Sequence, residues 1–208
     1  MGPYNRREFA MRTFAVLGIS CWSGFLLMAL ELMSGRILAP TFGSSIYVWG
    51  AVITVFMLAL SIGYLIGGRM SMSEPRIAVL CGLHLLSGLL VLPILFFELP
   101  VLDGIFEYTQ DPRLGSLLSS VILFFLPAAV CGTVAPYAVR LLVKDSQAAG
   151  FYAGLQYFFS TAFSAAGTLL TSFYFVLILE VDQILMLLIG VTVFMALSAF
   201  LISRKSTP

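Results

Sequence analysis

Long apolar runs separated by short polar stretches occupy almost the whole chain. Six runs can be delimited, and each is close to or above the ~20 residues that an α-helix needs to cross a bilayer. They cover about residues 13–35, 44–68, 77–97, 114–142, 150–179 and 184–203. Segments 1–12 and 204–208 flank them, and the polar stretch 98–113 is the longest predicted loop. The pattern predicts an all-α protein, a polytopic membrane bundle of six transmembrane helices within residues 13–203.

The composition excludes other classes of protein. Hydrophobic residues make up 60% of the 208 residues and charged residues 10%, whereas soluble globular domains have roughly 25% charged residues. The net charge of +1 gives no indication of a nucleic-acid partner, and the expected partner is the lipid bilayer. The three cysteines lie inside apolar runs without CxxC spacing, so no metal site, cofactor or disulfide framework is expected.

If successive helices cross the membrane in alternating directions, the basic residues fall unequally on its two sides. One side receives nine of them: Arg6, Arg7, Arg12, Arg69, Arg76, Arg140, Lys144, Arg204 and Lys205. The other side receives only Arg36 and Arg113, together with most of the acidic residues. The positive-inside rule therefore predicts that both termini are cytoplasmic.

One carboxylate, Glu31, interrupts the first apolar run. A carboxylate at mid-bilayer costs roughly 3 kcal/mol on the insertion scale, so it normally faces the bundle interior and has a partner there. Arg36 follows five residues later and is the nearest candidate partner. Together with Gln156 on the fifth run, the two predict a buried polar site. The alternative is an ion pair that only holds the end of the helix.

Prolines and glycines mark predicted helix breaks. The fourth run contains Pro127, Gly132 and Pro136, and Pro40 closes the first run. Broken helices occur at membrane depth only where the freed carbonyls face protein or a water-filled cavity. These residues therefore mark predicted helix breaks that face the bundle interior or a cavity.

Small residues predict where helices approach one another closely. Gly63 and Gly67 form a small-xxx-small pair on the second run, and Gly154 and Gly167 lie on the hydroxyl-rich fifth run. We therefore expect the fifth run to be buried in the bundle. The sixth run is the most uniformly apolar and is expected to be peripheral.

A weak internal similarity relates the two halves of the chain. Gly35 precedes Ala39-Pro40 in the first run, as Gly132 precedes Ala135-Pro136 in the fourth. Three spans repeated after an odd number would be inverted in the membrane, as in each half of a major-facilitator transporter. Chance similarity is the alternative, because these residues are frequent in membrane helices.

Three stretches resemble a known family: LELMSGRILAPTFGSSIYVWG, then LSIGYLIGGR, then APYAVRLL followed by YAGLQYFFSTAFSAAGTLLTSF. They look like the membrane domain of bacterial membrane-bound spermidine synthase-like proteins, often described as fused to a major facilitator. The resemblance implies a multi-pass protein of the bacterial cytoplasmic (inner) membrane. The aminopropyltransferase domain of the fused proteins is not found in this sequence, so we do not expect an enzyme.

Two interpretations of different class follow. In the first, the chain is a membrane subunit or anchor that works with a separate soluble synthase-like protein or in polyamine-related handling. In the second, it is a small secondary transporter the size of half a facilitator, which would act as a homodimer. A structural subunit of a larger membrane complex is a third alternative.

Overall fold

The computed structural model describes the backbone of residues 6–143 and 146–205, and the side chains of residues 10–143 and 147–203. Within this part of the chain every regular element is helical. Six stretches are long and apolar enough to cross a membrane: Ala10–Phe42, Ile46–Met70, Ile77–Tyr108, Pro112–Leu142, Ala149–Ile178 and Val181–Ser203. The predicted all-α bundle of six membrane-spanning helices is confirmed.

Within the described residues, eight α-helices build these six spans. They are α1 (Arg6–Phe42), α2 (Ile46–Met70), α3 (Ile77–Leu89), α4 (Leu92–Tyr108), α5 (Pro112–Leu142), α6 (Ala149–Leu170), α7 (Val176–Ile178) and α8 (Val181–Lys205). The third span consists of α3 and α4, and the fifth consists of α6 and α7 joined by a π-helical segment, Thr171–Phe175. On the side opposite to the termini, the described links between spans are short: residues 43–45, 109–111 and 179–180.

Helix boundaries correct two sequence expectations. The predicted loop at 98–113 is wrong, because α4 continues to Tyr108 and only residues 109–111 separate it from α5. Asp103 and Glu107 are exposed on this helix, whereas Leu102 is buried in the core. Likewise α1 does not end at residue 35 but continues through Pro40 to Phe42. Gly43 then closes it with a φ of +80°, a conformation that glycine adopts without strain.

The prolines of the fourth run do not interrupt its helix. Pro127 and Pro136 both lie inside α5, which is continuous from Pro112 to Leu142. A proline lacks the N–H that would bond to the carbonyl four residues earlier, so the ladder loses a bond at each position while the helix continues. The predicted breaks are therefore missing hydrogen bonds within one helix.

The expected positions of the fifth and sixth spans are reversed. Only Gln156 and Gly167 are buried in α6, so the prediction that its small and hydroxyl residues are enclosed by the bundle is wrong. The sixth span is not peripheral, because α8 packs against α1, α3 and α4. Trp22 of α1 donates a hydrogen bond from Nε1 to Thr192 Oγ1 of α8 over 2.8 Å, which fixes the two helices together.

Three of the four predicted packing glycines lie at close helix contacts. A Cβ on Gly63 or Gly67 would overlap backbone atoms of α5, and a Cβ on Gly167 would lie 2.7 Å from the carbonyl oxygen of Phe25 in α1. The fourth does not, because a Cβ on Gly154 would meet nothing within 4 Å among the described residues. Gly24 makes an equally close approach from α1 to Ser160 of α6.

Most helix contacts pair as a 3+3 repeat would require. Exchanging spans one to three with spans four to six turns the extensive α2–α5 contact into the α1–α6 contact, and α1–α2 into α5–α6. The same exchange turns α1–α8 into the contact of α5 with α3 and α4. The contact of α1 with the third span has no counterpart of similar extent. Because each half has an odd number of spans, the two halves begin on opposite sides of the membrane, as inverted repeats do.

Candidate functional site

A polar cavity lies where the two three-span halves meet. It has a volume of about 130 Å³, close to the ~150 Å³ of an engineered cavity that accommodates benzene. Four helices contribute its lining: Ser20, Ser23, Gly24 and Leu27 of α1; Leu60 and Tyr64 of α2; Cys131, Gly132, Val134 and Ala135 of α5; and Gln156, Tyr157, Ser160, Thr161 and Ser164 of α6. None of these lining residues carries a charge.

The cavity lies at membrane depth. Gln156 follows the start of α6 at Ala149 by seven residues, and Tyr64 precedes the end of α2 at Met70 by six. At a rise of 1.5 Å per residue, these positions are about 10 Å from the ends of their helices. The polar lining is therefore within the apolar part of the bundle and not among the connecting loops.

Gln156 is the principal polar group of this cavity. Its side chain is completely buried, and neither the amide oxygen nor the amide nitrogen has a hydrogen-bond partner among the described residues. A glutamine amide offers two N–H donors and one carbonyl acceptor. A buried polar group without a partner costs about 1–3 kcal/mol, so a hydrogen-bonding group brought to this amide would stabilise it.

The serine hydroxyls add acceptor groups. Ser20 donates its hydrogen to Val16 O over 2.9 Å, and Ser164 donates to Ser160 O over the same distance. Each hydroxyl has one hydrogen and two lone pairs, so a serine that donates to its own helix still presents oxygen lone pairs to its surroundings. The α1 and α6 walls of the cavity therefore favour a ligand that donates hydrogen bonds.

The α5 wall is polar through its backbone and Cys131. Ser23 Oγ and Cys131 Sγ lie 3.0 Å apart, which ties α1 to α5 behind the cavity. Pro136 has no N–H to donate to the carbonyl of Gly132, four residues earlier, and Gly132 lines the cavity. The carbonyl of Gly132 therefore lacks its usual backbone donor four residues later.

The predicted pairing of Glu31 with Arg36 is wrong. No ion pair joins them among the described residues, and Arg36 Nη1 instead donates to the carbonyl oxygen of Val176 over 3.5 Å. Five residues along an α-helix correspond to a rotation of about 140°, so the two side chains leave α1 in different directions. Arg36 is exposed, whereas Glu31 is half-buried. Glu31 does not line the cavity, although it lies one turn beyond Leu27 on the same stripe of α1.

The other predicted positions separate into two groups. Gly132 and Gln156 line the cavity, and Pro136 acts on it through the backbone. Pro40 is exposed near the end of α1, and Pro127 lines a separate apolar groove between α4 and α5. The sequence analysis missed the α1 residues Ser20 and Ser23. Their spacing with Gly24 and Leu27 (i, i+3, i+4, i+7) is the signal that indicates one polar helix face.

Known proteins do not add to this description. No family model, curated protein sequence or solved structure matches the chain. The family resemblance suggested by the sequence motifs therefore stays a prediction.

Proposed function

We propose that this chain is a membrane carrier that binds a small uncharged polar solute in the cavity around Gln156. The observation that carries the proposal is the completely buried Gln156 amide without a partner. Polar side chains within a membrane bundle are expensive to keep and mark solute pathways more often than packing positions. Transporters with inverted repeats bind their substrates near the bilayer midplane, between the repeats. The cavity has this position relative to the two halves.

The lining indicates the class of solute. Its residues carry amide, hydroxyl and thiol groups but no charge, which favours a neutral molecule because an unpaired ion would be costly at this depth. The volume of about 130 Å³ accommodates a molecule of roughly six non-hydrogen atoms, by comparison with benzene. Urea and glycerol have the appropriate size and hydrogen-bonding groups. A polyamine would need a carboxylate, and Glu31 lies outside the lining.

The orientation belongs to the same proposal. Arg12, Arg69, Arg76 and Arg140 lie towards the side of the termini, and Arg36 and Arg113 towards the other side. The positive-inside rule assigns the first side to the cytoplasm of a bacterial inner membrane. Lys144 and the side chains of Arg6, Arg7, Arg204 and Lys205, which also entered the sequence prediction, lie outside the described residues.

Stopped-flow light scattering of proteoliposomes tests this function. Vesicles that contain the protein should re-swell in urea or glycerol faster than protein-free vesicles, and those with Gln156→Leu should lose this excess rate. Removing two hydrogen bonds of about 1 kcal/mol each weakens binding roughly 30-fold. Gln183→Leu is the matched control, because Gln183 is exposed at the start of α8 and does not line this cavity. No excess permeability to any small neutral solute would refute the proposal.

A second candidate is the membrane subunit of a complex with a soluble synthase-like protein. It is supported by the sequence resemblance and by the exposed arginines Arg69, Arg76 and Arg140 near one end of the bundle, which would suit an acidic partner. Replacing all three with glutamine should release such a partner while leaving solute permeability intact. The two candidates therefore give different results with the Gln156 and arginine variants.

A further inference from the structure

A histidine, His84, is buried in the bundle behind the cavity. Its exposure is 0%, and neither Nδ1 nor Nε2 has a hydrogen-bond partner among the described residues. It follows the start of α3 at Ile77 by seven residues, as Gln156 follows the start of α6 at Ala149. Both helices start on the side of the termini, so the two side chains lie at a similar depth, about 10 Å from the helix ends. An ionisable side chain at this depth is costly to keep and marks a functional site.

Polar side chains lead from the cavity to the turn of α3 that carries His84. Ser87 is buried and donates a hydrogen bond to the carbonyl oxygen of His84 over 2.8 Å. Its hydroxyl also interacts with the Cys131 thiol of α5, which lies 3.0 Å from Ser23 Oγ of α1. Cys131 and Ser23 both line the cavity. Hydroxyl and thiol groups donate and accept hydrogen bonds, so the Ser87–Cys131–Ser23 series has the groups that proton transfer requires.

The helices packed against α3 supply no charge to balance a protonated His84. These helices are α1, α5 and α8. The titratable side chains of α1, α3 and α5 that belong to the buried core are thiols and one phenol: Cys21, Cys81, Cys131 and Tyr137. α8 has no titratable residue from Gln183 to Ser203.

The charged residues of α1 and α5 are remote in sequence from the polar series. Within the described side chains these residues are Arg12, Glu31, Arg113 and Arg140, and each is at least eight residues from Ser23 or Cys131 on its own helix. A buried charge without a partner is very costly. A proton can therefore stay on His84 only while water or a solute oxygen is hydrogen-bonded, directly or through the polar series, to the imidazolium.

We propose that His84 is the proton-binding site of the carrier, so that a proton and the neutral solute cross the membrane together. This inference rests on the proposed solute cavity. A nitrogen lone pair of His84 forms an N–H bond with a proton from a hydronium ion, which leaves as water, and release to water on the other side reverses the step. The imidazolium then donates through a water molecule into the Ser87–Cys131–Ser23 series, whose last hydrogen needs an acceptor in the cavity. The oxygen of glycerol or urea supplies that acceptor, so solute and proton strengthen each other's binding by the same factor.

Proton uptake driven by a glycerol gradient tests the coupling. Proteoliposomes with an entrapped pH-sensitive dye and no membrane potential should acidify inside when glycerol is added outside. His84→Gln retains a hydrogen-bonding side chain that cannot be protonated near neutral pH, so at saturating glycerol it should still re-swell but lose the acidification. Ser119→Ala is the matched control, because Ser119 is also completely buried with an unpartnered hydroxyl but does not line the cavity. It should keep both signals.

The outcomes separate this proposal from the carrier itself. Glycerol flux without acidification in the parent, or acidification that persists in His84→Gln, would overturn the proton-binding role and leave the carrier intact. No glycerol flux at all would refute the carrier and the coupling with it.

Nitrogen NMR of isotope-labelled histidine tests the site in the parent protein. The chain contains a single histidine, so without a polyhistidine tag the signal in bilayers reports His84 alone. Glycerol should raise the midpoint of its titration by about 0.7 pH unit or more, which corresponds to the roughly fivefold lower end of typical coupling. Gln156→Leu should abolish this shift because it weakens solute binding. A signal that stays neutral from about pH 8 to pH 5 with glycerol present, or a midpoint that glycerol does not move, would overturn the proposal even if His84→Gln fails to fold.

Discussion

Replacing Gly67 with alanine should weaken the contact between α2 and α5, while the same change at Gly68 should not. A Cβ on Gly67 would lie 2.7 Å from the Cα and 2.8 Å from the carbonyl carbon of Thr133, where ordinary contacts are 3.4–4 Å. The helices must therefore separate locally by about 1 Å, and overpacking of this kind costs about 1–3 kcal/mol. A Cβ on Gly68 meets nothing within 4 Å. Both variants gain the same helix propensity, so their difference isolates the contact.

Unfolding in mixed micelles with increasing dodecyl sulfate measures that difference. The fluorescence of Trp22 and Trp49 reports the transition, since Trp49 packs over Gly35 and Trp22 bonds to Thr192. Gly67→Ala should be less stable than Gly68→Ala by about 1–3 kcal/mol. Equal midpoints for the two variants would refute the close α2–α5 contact and, with it, the position of the α5 wall of the cavity.

Two further predictions concern side-chain interactions. A double-mutant cycle with Trp22→Phe and Thr192→Val, followed by the same unfolding assay, should give a coupling of about 0.6 kcal/mol, typical of hydrogen bonds between membrane helices; zero coupling would contradict the bond. A cycle with Glu31→Gln and Arg36→Gln should give a coupling below about 0.5 kcal/mol, because the two side chains form no ion pair; a coupling above about 1 kcal/mol would show that they do pair.

The fold class follows from the sequence because the length of apolar runs is a strong signal. Helix boundaries are harder to predict from the sequence, since α4 extends through Glu98 and Asp103 where polar residues predicted a loop. The burial of individual helices is the property that is hardest to predict from the sequence. The hydroxyl-rich fifth span was expected inside the bundle and is the most exposed of the six. Composition indicates that a helix suits close contact with other helices, but it does not determine whether helices of the same chain make that contact.

The repeat illustrates the same limit at the level of residues. The sequence paired Gly35 with Gly132, but Gly35 packs under the Trp49 ring whereas Gly132 approaches Leu60. Gly24, which meets Ser160 of α6, is the closer counterpart of Gly132 under exchange of the halves. Contacts related by the exchange depend on which helix faces meet, and a glycine that precedes an Ala-Pro pair does not specify the facing helix.

The site was only partly predictable for a similar reason. Gln156 was predicted as part of a buried polar site on the fifth run, and it lines the cavity. Glu31 and Arg36 were paired by proximity in sequence, but a spacing of five does not bring side chains together on a helix. Ser23 and Cys131 are 108 residues apart, and their contact depends on α1 and α5 packing together.

Accessibility of the cavity to a polar reagent tests the central claim most directly. Ser160 lines the cavity, and Ser160→Cys in a background without native cysteines adds a thiol there with little change in volume. In reconstituted vesicles this thiol should react with a small hydrophilic methanethiosulfonate reagent, and urea or glycerol should slow the reaction. Phe194→Cys, exposed at similar depth on α8, should not react because it faces lipid. Labelling of both or neither position, or labelling of Ser160→Cys that no neutral solute slows, would contradict a solute-binding cavity.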